Sequence, residues 1–304
     1  MLQNTFVITD SSSRELKPHG SEAFPCAGYE TVYSPRTKYV LPWHFHEELE
    51  LILVVRGNFR LRIPGVEYEM KKGDMAFINS SVLHSAEGNP SCLNYAFVFR
   101  AELVTGGRNT AVAEKYISPL VSCPSLRSLV IREGDRDTIK SFKKAFDALR
   151  NDSFGFELTV REELGRILLS IYESEEETIR NPGERDIDSV RLTAMLDFIH
   201  SSFSSPVTLH DISSAAGISD REALRCFQRT ISDSPVQYLI KYRLAQSVNQ
   251  MVLHPELPIA DIAASCGFES AAYYTKKFGS VYGVTPTQYR ALEIEKRDKS
   301  LFIE

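Results

Sequence analysis

The pattern of apolar and polar positions divides the chain into regions of different secondary structure. Up to about Arg100 it is typical of short strands, since residues 49–55 form a bulky apolar run and residues 59–63 alternate with a period of two. The turn signal Pro64-Gly65 follows directly. Several short strands separated by Gly and Pro predict a small antiparallel barrel or sandwich.

From about Arg136 the apolar positions recur at helical spacing instead, in two stripes. The stripes consist of Ile139, Phe142, Phe146 and Leu149, and of Leu164, Ile167, Leu168 and Ile171. A small barrel offers these helices no obvious partner, so two interpretations stay open: they pack on each other, or they form a dimer interface. Residues 173–189 are charged, contain Pro182-Gly183 and lack apolar periodicity, which predicts a linker.

The helical region beyond residue 190 contains an internal repeat. Residues 211–218 (DISSAAGI) align with residues 261–268 (DIAASCGF), and residues 234–238 (SPVQY) align with residues 285–289 (TPTQY). The offset is about 50 residues in both blocks. Self-similarity at a fixed spacing indicates that one supersecondary unit is used twice.

Each repeat is predicted to be a helix-turn-helix. In the first, Thr208 can cap a short helix, Gly217 can end it in the left-handed conformation, and Ser219 can cap the next helix. Gly267 and Ser270 occupy the equivalent places in the second. A short helix, a glycine turn and a second helix are the arrangement that places the second helix in the major groove of DNA.

A long helix between the repeats is expected to set their spacing. It should begin with Pro235 at its first position and end at about Leu253. Nineteen residues span about 28 Å at ~1.5 Å per residue. Successive major-groove faces of B-DNA lie about 34 Å apart, so both units could reach one face of the duplex.

On these residues the C-terminal third resembles the DNA-binding domain of the AraC-type (AraC/XylS) transcription regulators. The resemblance rests on four blocks: residues 259–263 with Gly267-Phe268, residues 282–286 with Tyr289-Arg290, Ser234-Pro235 with Tyr238-Leu239, and residues 243–245. It implies a regulator that binds promoter or operator DNA sequence-specifically.

The outward side of each second helix is expected to meet the DNA. The candidates that face the groove are Asp220, Arg221, Leu224, Arg225, Ser270, Ala271, Ala272, Thr275 and Lys276. The candidates for phosphate contact are Arg229, Lys241, Arg243, Tyr273 and Lys277. The resemblance places Arg225 and Lys276 where the family often has base-reading side chains. The alternative for each residue is a solvated surface charge that reads no base. In the first unit, Leu224 departs from the polar residues common at such positions. In the second unit, Ala271 and Ala272 remove hydrogen-bonding capacity, so that unit could read DNA by shape or methyl contact.

The N-terminal region contains a histidine motif. His44, His46, Glu50 and Gly57 follow the spacing H-x-H-x3-E-x6-G, and His84 comes later in the chain. Positions 44 to 50 would share one face of a strand, so these side chains should converge. The motif resembles those of cupins, whose ligands hold a transition metal, and the sensor half of AraC-type regulators.

Three interpretations of this motif compete. We favour a pocket that binds an organic effector, with no cofactor. A transition metal at His44, His46, Glu50 and His84 is the first alternative, and core histidines without function are the second. The flanking candidates are Tyr39, Trp43, Arg60 and Arg62, although the arginines are as well explained by a solvated outer face. The alternative function of the whole chain is a cupin metalloenzyme (oxygenase or isomerase) fused to a DNA-binding domain.

Composition and charge fit this picture. Five cysteines, an odd number without C-x-x-C spacing, favour free thiols in a reducing cytoplasm. No signal peptide or membrane-spanning stretch is expected. The formal net charge of −5 does not indicate nucleic-acid binding, and residues 190–292 carry nine Lys/Arg against eight Asp/Glu. So few cations favour a homodimer, which doubles the DNA contacts.

The sequence therefore predicts a multidomain α+β protein that regulates transcription without being an enzyme. Residues 1–134 form a cupin-like antiparallel β-barrel that senses an effector, and residues 135–175 form a helical dimerisation segment. Residues 176–189 form the linker. Residues 190–304 form an all-α double helix-turn-helix domain.

Overall fold

The computed structural model describes residues 2–3, 7, 9, 13–33, 40–107, 109–183 and 187–292. Its N-terminal part is built from short strands, as predicted. They are β1 (Leu2–Gln3), β2 (Cys26–Val32), β3 (Val40–His44), β4 (Leu49–Arg56), β5 (Asn58–Ile63), β6 (Val66–Lys71), β7 (Met75–Ile78), β8 (His84–Gly88), β9 (Leu93–Phe99) and β10 (Ser128–Ile131).

These strands form two sheets that pack face to face. The larger sheet has the order β1-β2-β9-β4-β7-β10, and the smaller has the order β3-β8-β5-β6. All neighbours pair antiparallel except the two-residue β1, which pairs parallel with β2. One apolar core contains Ile52 and Val54 of the larger sheet together with Phe59 and Leu61 of the smaller one. This packing agrees with the cupin-like half of the predicted fold class, except that the described strands form two separate sheets and not a closed barrel.

The other face of the larger sheet carries helices. The helices of this region are α1 (Glu102–Thr105), a π-helix (Ala113–Ile117) that continues into α2 (Ser118–Ser122), α3 (Arg136–Arg150), α4 (Phe156–Ser174) and α5 (Glu176–Arg180). Leu49, Leu51 and Leu53 of β4 share a second core with α3 and α4. Strand β4 is thus buried on both faces, which explains its continuous apolar run.

This packing corrects one interpretation of the sequence. Leu164 and Leu168 are fully buried within the chain, between α3, α4 and the sheet. The expectation that these residues form a dimer interface is therefore wrong. The stripes look unpartnered in the sequence because the apolar run 49–55 is consistent with a strand buried on both faces but does not show which element covers the second face.

The C-terminal part is helical in its described residues. Its helices are α6 (Ile187–Ser202), α7 (Leu209–Ala215), α8 (Asp220–Ile231), α9 (Pro235–Leu253), α10 (Ile259–Ser265) and α11 (Ala271–Tyr282), followed by helical turns at 286–292. The two units have separate apolar cores, to which α9 contributes Tyr238 and Leu239 on one side and Leu244 and Val248 on the other. One rigid helix therefore joins both units.

The local signals predicted for the repeats are confirmed. The hydroxyl of Thr208 accepts from the backbone N–H of Asp211 in a capping box, and Ser219 and Ser270 cap α8 and α11. Gly217 and Gly267 adopt positive φ at the ends of α7 and α10. Helix α9 begins at Pro235 and ends at Leu253, as expected.

The predicted linker 176–189 contains α5 near its start, and its residues 187–189 belong to α6. The domain boundaries themselves stay a prediction. All five cysteines are free and buried. Among the described residues, every helix is too short or too polar to cross a bilayer.

Candidate DNA-binding surface and effector pocket

Helix α8 divides cleanly into a buried and an exposed side. Ala223 and Phe227 are fully buried in the core of the first unit. Arg221, Leu224 and Arg225 are exposed, at positions i, i+3 and i+4 of one helix face. The structure thus brings three of the candidates for the first unit to one surface. Leu224 is 40% exposed, an apolar side chain in the middle of that surface.

Two other candidates of the first unit have partners within the chain. The carboxylate of Asp220 accepts from the Ser213 hydroxyl at 2.6 Å and lies 3.3 Å from Nδ1 of His210, which joins α8 to α7. Arg229 donates to Asp188 of α6 from Nε at 2.7 Å and also to Glu222 at 2.9 Å. A contact between Arg229 and a DNA phosphate would have to replace these ion pairs.

Helix α11 presents a smaller, less polar surface. Tyr274 and Phe278 are fully buried, whereas Ala271, Ala272, Thr275 and Lys276 are exposed. The methyl groups of alanine and threonine on this face can contact the thymine methyl.

Side chains at the edge of α11 flank this surface. Ser270 is occupied as the helix cap, where its hydroxyl accepts from the N–H of Tyr273. Tyr273 is 44% exposed, and the Lys277 ammonium lies 5.5 Å from the centre of its ring. Lys277 is thereby held beside the exposed face of the helix.

The two basic candidates on α9 differ. Lys241 is exposed and donates to Asp233 at 2.6 Å. Arg243 is partly buried and donates to the carbonyls of Phe203 at 2.6 Å and Ser205 at 2.8 Å. Burial lowers the pKa of this guanidinium. Arg243 clamps the loop after α6 to α9, and sequence reasoning missed this role because its partners are backbone carbonyls about 40 residues away.

The histidine motif converges in the structure, but not on one strand. His44 ends β3 in the smaller sheet, the chain crosses between the sheets at residues 45–48, and Glu50 lies on β4 in the larger sheet. The expectation of a single strand face is therefore wrong, since the sheets themselves bring the residues together. His84 on β8 is the register partner of His44.

Each histidine of the motif has a defined ring orientation. Nδ1 of His44 donates to the Pro42 carbonyl at 2.8 Å, and Nδ1 of His84 donates to the Val82 carbonyl at 2.8 Å. Nδ1 of His46 faces the Glu48 carbonyl at 3.2 Å. A carbonyl can only accept, so Nδ1 carries a proton, and in the neutral ring Nε2 then keeps its lone pair. One ring nitrogen from each of the three histidines lies within 4.8 Å of the others.

The Glu50 carboxylate lies between two of these rings. Its Oε2 is 3.0 Å from Nε2 of His84 and 3.4 Å from Nε2 of His46. Burial raises the pKa of Glu50, but the two histidines outweigh it and hold that pKa well below its usual range. Burial, reinforced by His84, lowers the pKa of His44 to about 3. The pocket therefore combines a neutral imidazole at His44 with an ionised carboxylate at Glu50.

Two further polar residues reach the pocket from the N-terminal segment. Oε2 of Glu15 lies 3.5 Å from Nε2 of His19 and 3.9 Å from Nε2 of His44. Nδ1 of His19 forms a hydrogen bond with the Tyr29 hydroxyl at 2.7 Å. Sequence reasoning missed both residues, because they lie outside the H-x-H motif and far from it along the chain.

Three of the four flanking candidates lie outside this pocket. Trp43 packs against the core of the first helix-turn-helix unit. Arg60 and Arg62 form ion pairs with Glu67, Glu87 and, for Arg60, Glu69 on the outer face of the smaller sheet. Their placement in the pocket is wrong, and the alternative of an outer face is confirmed. Tyr39 lies outside the described residues.

The pocket encloses a cavity of about 50 Å³, lined by Glu15, His19, His44, His46 and Glu50. Apolar side chains of both sheets complete the wall, including Leu41, Ile52 and Val98. This volume is small beside the ~300–1,000 Å³ that is typical of pockets for organic ligands.

Comparison with known protein families matches both halves. Residues 212–292 match the model of a helix-turn-helix domain, and residues 32–92 match that of a cupin domain.

Several similar proteins are regulators of transcription. The uncharacterised HTH-type transcriptional regulator YdeC of Bacillus subtilis is 26% identical over 298 residues, which cover 94% of this chain and 98% of that protein. The activator RhaR of Pectobacterium carotovorum is 26% identical over 83% of this chain and 86% of its own length. The multiple antibiotic resistance protein MarA of Escherichia coli is 28% identical over 38% of this chain and 91% of its own. Among solved structures, ToxT of Vibrio cholerae O395 is similar over 87% of this chain and 96% of its own, with 14% identity and a TM-score of 0.47.

Proposed function

The chain belongs to the AraC-type DNA-binding transcription regulators, with an N-terminal cupin domain, and from that premise we propose how it works. The exposed faces of α8 and α11 read one operator, and a small ligand in the histidine pocket changes the affinity for it. The observation that carries the proposal is the repeated unit, in which both second helices have exposed faces and share the rigid helix α9. We assign the pocket to regulation and not to catalysis.

The test of the DNA-binding surface is Arg225→Ala in the full chain. Arg225 is exposed, and its contact with a carboxylate of the described residues is a long one, 3.8 Å to Glu222, so it is available to a guanine. Loss of one bidentate base contact should weaken binding by about 1–3 kcal/mol and relax the preference at one base pair. Fluorescence anisotropy with the operator and with single-base variants of it measures both effects.

The control is Arg136→Ala, which removes the same charge from the exposed start of α3 and should leave the affinity unchanged. An equal loss for Arg225→Ala on operator and random DNA would mean that Arg225 contacts phosphate and reads no base.

We further propose a homodimer that forms through the outer face of α4. Leu158 is 72% exposed and Leu169 is 44% exposed, and eleven residues correspond to about three helical turns, so both lie on one line. Two symmetric DNA-binding domains would double the phosphate contacts, which are few in a domain with nearly balanced charge.

The double variant Leu158→Glu/Leu169→Glu tests this interface. It should be a folded monomer at concentrations at which the wild type is a dimer, as measured by light scattering coupled to gel filtration. Val32→Glu, at an exposed valine of β2, is the control for an added surface charge. A double variant that stays dimeric would contradict this interface.

We place the protein in the cytoplasm, where operator DNA lies and where five free, buried thiols are stable.

A further inference from the structure

The helix caps and the buried residues align α8 and α11 position by position. Ser219 caps α8 and Ser270 caps α11, and a fully buried phenylalanine, Phe227 or Phe278, lies eight residues after each cap. The positions two, five, six and nine residues after the cap therefore occupy the same place on both helices. They hold Arg221, Leu224, Arg225 and Gln228 on α8, and Ala272, Thr275, Lys276 and Gly279 on α11.

Gln228 extends the exposed face of α8 by one turn. Its side chain is exposed and lies three residues after Arg225, which is the spacing of neighbours on one helix face. The residues on either side of it in the sequence are occupied elsewhere, because Phe227 is buried and Arg229 is paired with Asp188 at 2.7 Å. Gln228 is therefore a polar side chain that this turn can present to the major groove.

A glutamine amide matches one base in the major groove. Its oxygen accepts from N6 of adenine and its N–H donates to N7, just as an arginine donates to O6 and N7 of guanine. Three residues rise ~4.5 Å along a helix, and one base pair rises ~3.4 Å along the duplex. The base pair that faces Gln228 should thus lie one or two steps from the base pair that faces Arg225.

The equivalent turn of α11 has no side chain. Among the described residues outside its own helix, a Cβ atom at Gly279 would meet only the Val284 carbonyl oxygen within 4 Å, at 3.9 Å. Packing within the chain therefore does not require a glycine at this position. Glycine is also among the least favourable residues inside a helix. Its presence is explained if the backbone of α11 lies close to the DNA.

Two of the remaining positions on α11 offer methyl groups. Ala272 and Thr275 are both exposed. A methyl group packed against the 5-methyl group of thymine buries apolar surface, whereas the polar edges of the other bases would lose water without gaining a partner. The third position holds Lys276, a point charge without the planar geometry that selects one base. This set of side chains is suited to thymine.

We propose that Gln228 is a further base-reading residue, and that the two units read DNA by different chemistry. Gln228 binds an adenine one or two base pairs from the guanine bound by Arg225. Ala272 and Thr275 contact thymine methyl groups in the second element, the part of the operator that faces α11. The inference rests on the proposed function, because it specifies how the two exposed faces read the operator.

The experiment for Gln228 uses the full chain and an operator selected from a random DNA duplex library. Gln228→Ala should weaken operator binding about 5–150-fold and abolish the preference for adenine at one position. 7-Deazaadenine at that position lacks the N7 acceptor, so it should weaken wild-type binding about 2–10-fold and leave that of Gln228→Ala unchanged. Asn151→Ala, which removes an exposed amide after the end of α3, is the control and should bind like the wild type.

Uracil in place of thymine tests the second element, because uracil lacks only the 5-methyl group. At a thymine that faces Thr275, this replacement should weaken wild-type binding about fourfold, the usual contribution of one buried methyl group. Thr275→Ser removes the side-chain methyl group and keeps the hydroxyl. This variant should bind the thymine and uracil forms of the operator with equal affinity.

Wild-type affinity in Gln228→Ala overturns the role of Gln228. An equal loss on operator and random DNA does so too, since a phosphate contact acts on all sequences alike. An affinity that is unchanged by uracil at every thymine of the second element overturns the methyl readout. Both results leave the proposed function intact, which itself fails if the wild type selects no sequence from the library.

Discussion

Leu168→Ala is expected to lower the free energy of unfolding of the sensor region by about 2–5 kcal/mol. Leu168 is fully buried between α3, α4 and the larger sheet, in the same core as Leu49 and Phe97. Removing its side chain leaves a cavity in a tightly packed layer, which adds to the lost transfer free energy. Urea unfolding followed by the fluorescence of Trp43, the single tryptophan of the chain, measures the change.

Leu169→Ala is the matched control on the neighbouring residue. Its side chain is 44% exposed, so its removal should change the free energy of unfolding by no more than about 0.5 kcal/mol. The effect on the oligomeric state should be the reverse: Leu169→Ala should weaken the dimer and Leu168→Ala should not, because Leu169 lies on the proposed dimer surface and Leu168 does not. If Leu168→Ala dissociated a dimer without loss of stability, the buried position of this stripe would be contradicted.

The sequence was most informative where the signals are local. A cap, a glycine and a periodic apolar face lie within a few residues of each other, so the bounds of α9 and the caps Thr208, Ser219 and Ser270 could be predicted. The repeat added independent support, because each unit had to satisfy the same pattern. Ala223 with Phe227 and Tyr274 with Phe278 are spaced i, i+4 on one helix face, and both pairs are fully buried.

What could not be predicted depends on contacts between distant parts of the chain. The positions of Glu15 and His19 in the pocket are fixed by hydrogen bonds of the N-terminal segment to Phe45, and no spacing rule encodes these bonds. The same holds for the clamp of Arg243 on the Phe203 carbonyl, which in the sequence looks like one more cation available to phosphate. The H-x-H-x3-E spacing predicted the convergence correctly but for the wrong reason, since His44 and Glu50 lie in different sheets.

The same limit applies to the charges of the DNA-binding domain. The sequence separates candidates for base reading from candidates for phosphate contact, but it does not show which cations are paired within the chain. Arg229 and Lys241 are paired with carboxylates, whereas Arg221 and Arg225 lie on the exposed face of α8. The domain has few cations, and some of them are paired within the chain. Its affinity for DNA therefore depends more strongly on helix N-termini and on a second copy of the domain.

The repeat itself supplies the last prediction, because Gly217 and Gly267 are equivalent in sequence and differ in surroundings. Both have positive φ, +64° and +80°, so an alanine at either position meets the left-handed penalty of about 1–2 kcal/mol. At Gly217 a Cβ atom would have no neighbour within 4 Å. At Gly267 it would lie 2.7 Å from the Phe203 carbonyl oxygen and 3.0 Å from Nε of Arg243.

Gly267→Ala should therefore cost about 3–5 kcal/mol, since it also displaces the carbonyl that Arg243 binds at 2.6 Å, and a hydrogen bond to a charged group contributes about 1.5–3 kcal/mol. Gly217→Ala should cost only the left-handed penalty of about 1–2 kcal/mol. Thermal unfolding of the full-length variants followed by circular dichroism gives the two stabilities, and anisotropy gives the operator affinity. We expect Gly267→Ala to lose operator binding at temperatures at which Gly217→Ala still binds. Equal destabilisation by the two changes would show that the contact between the second turn and the clamp of Arg243 adds nothing to stability.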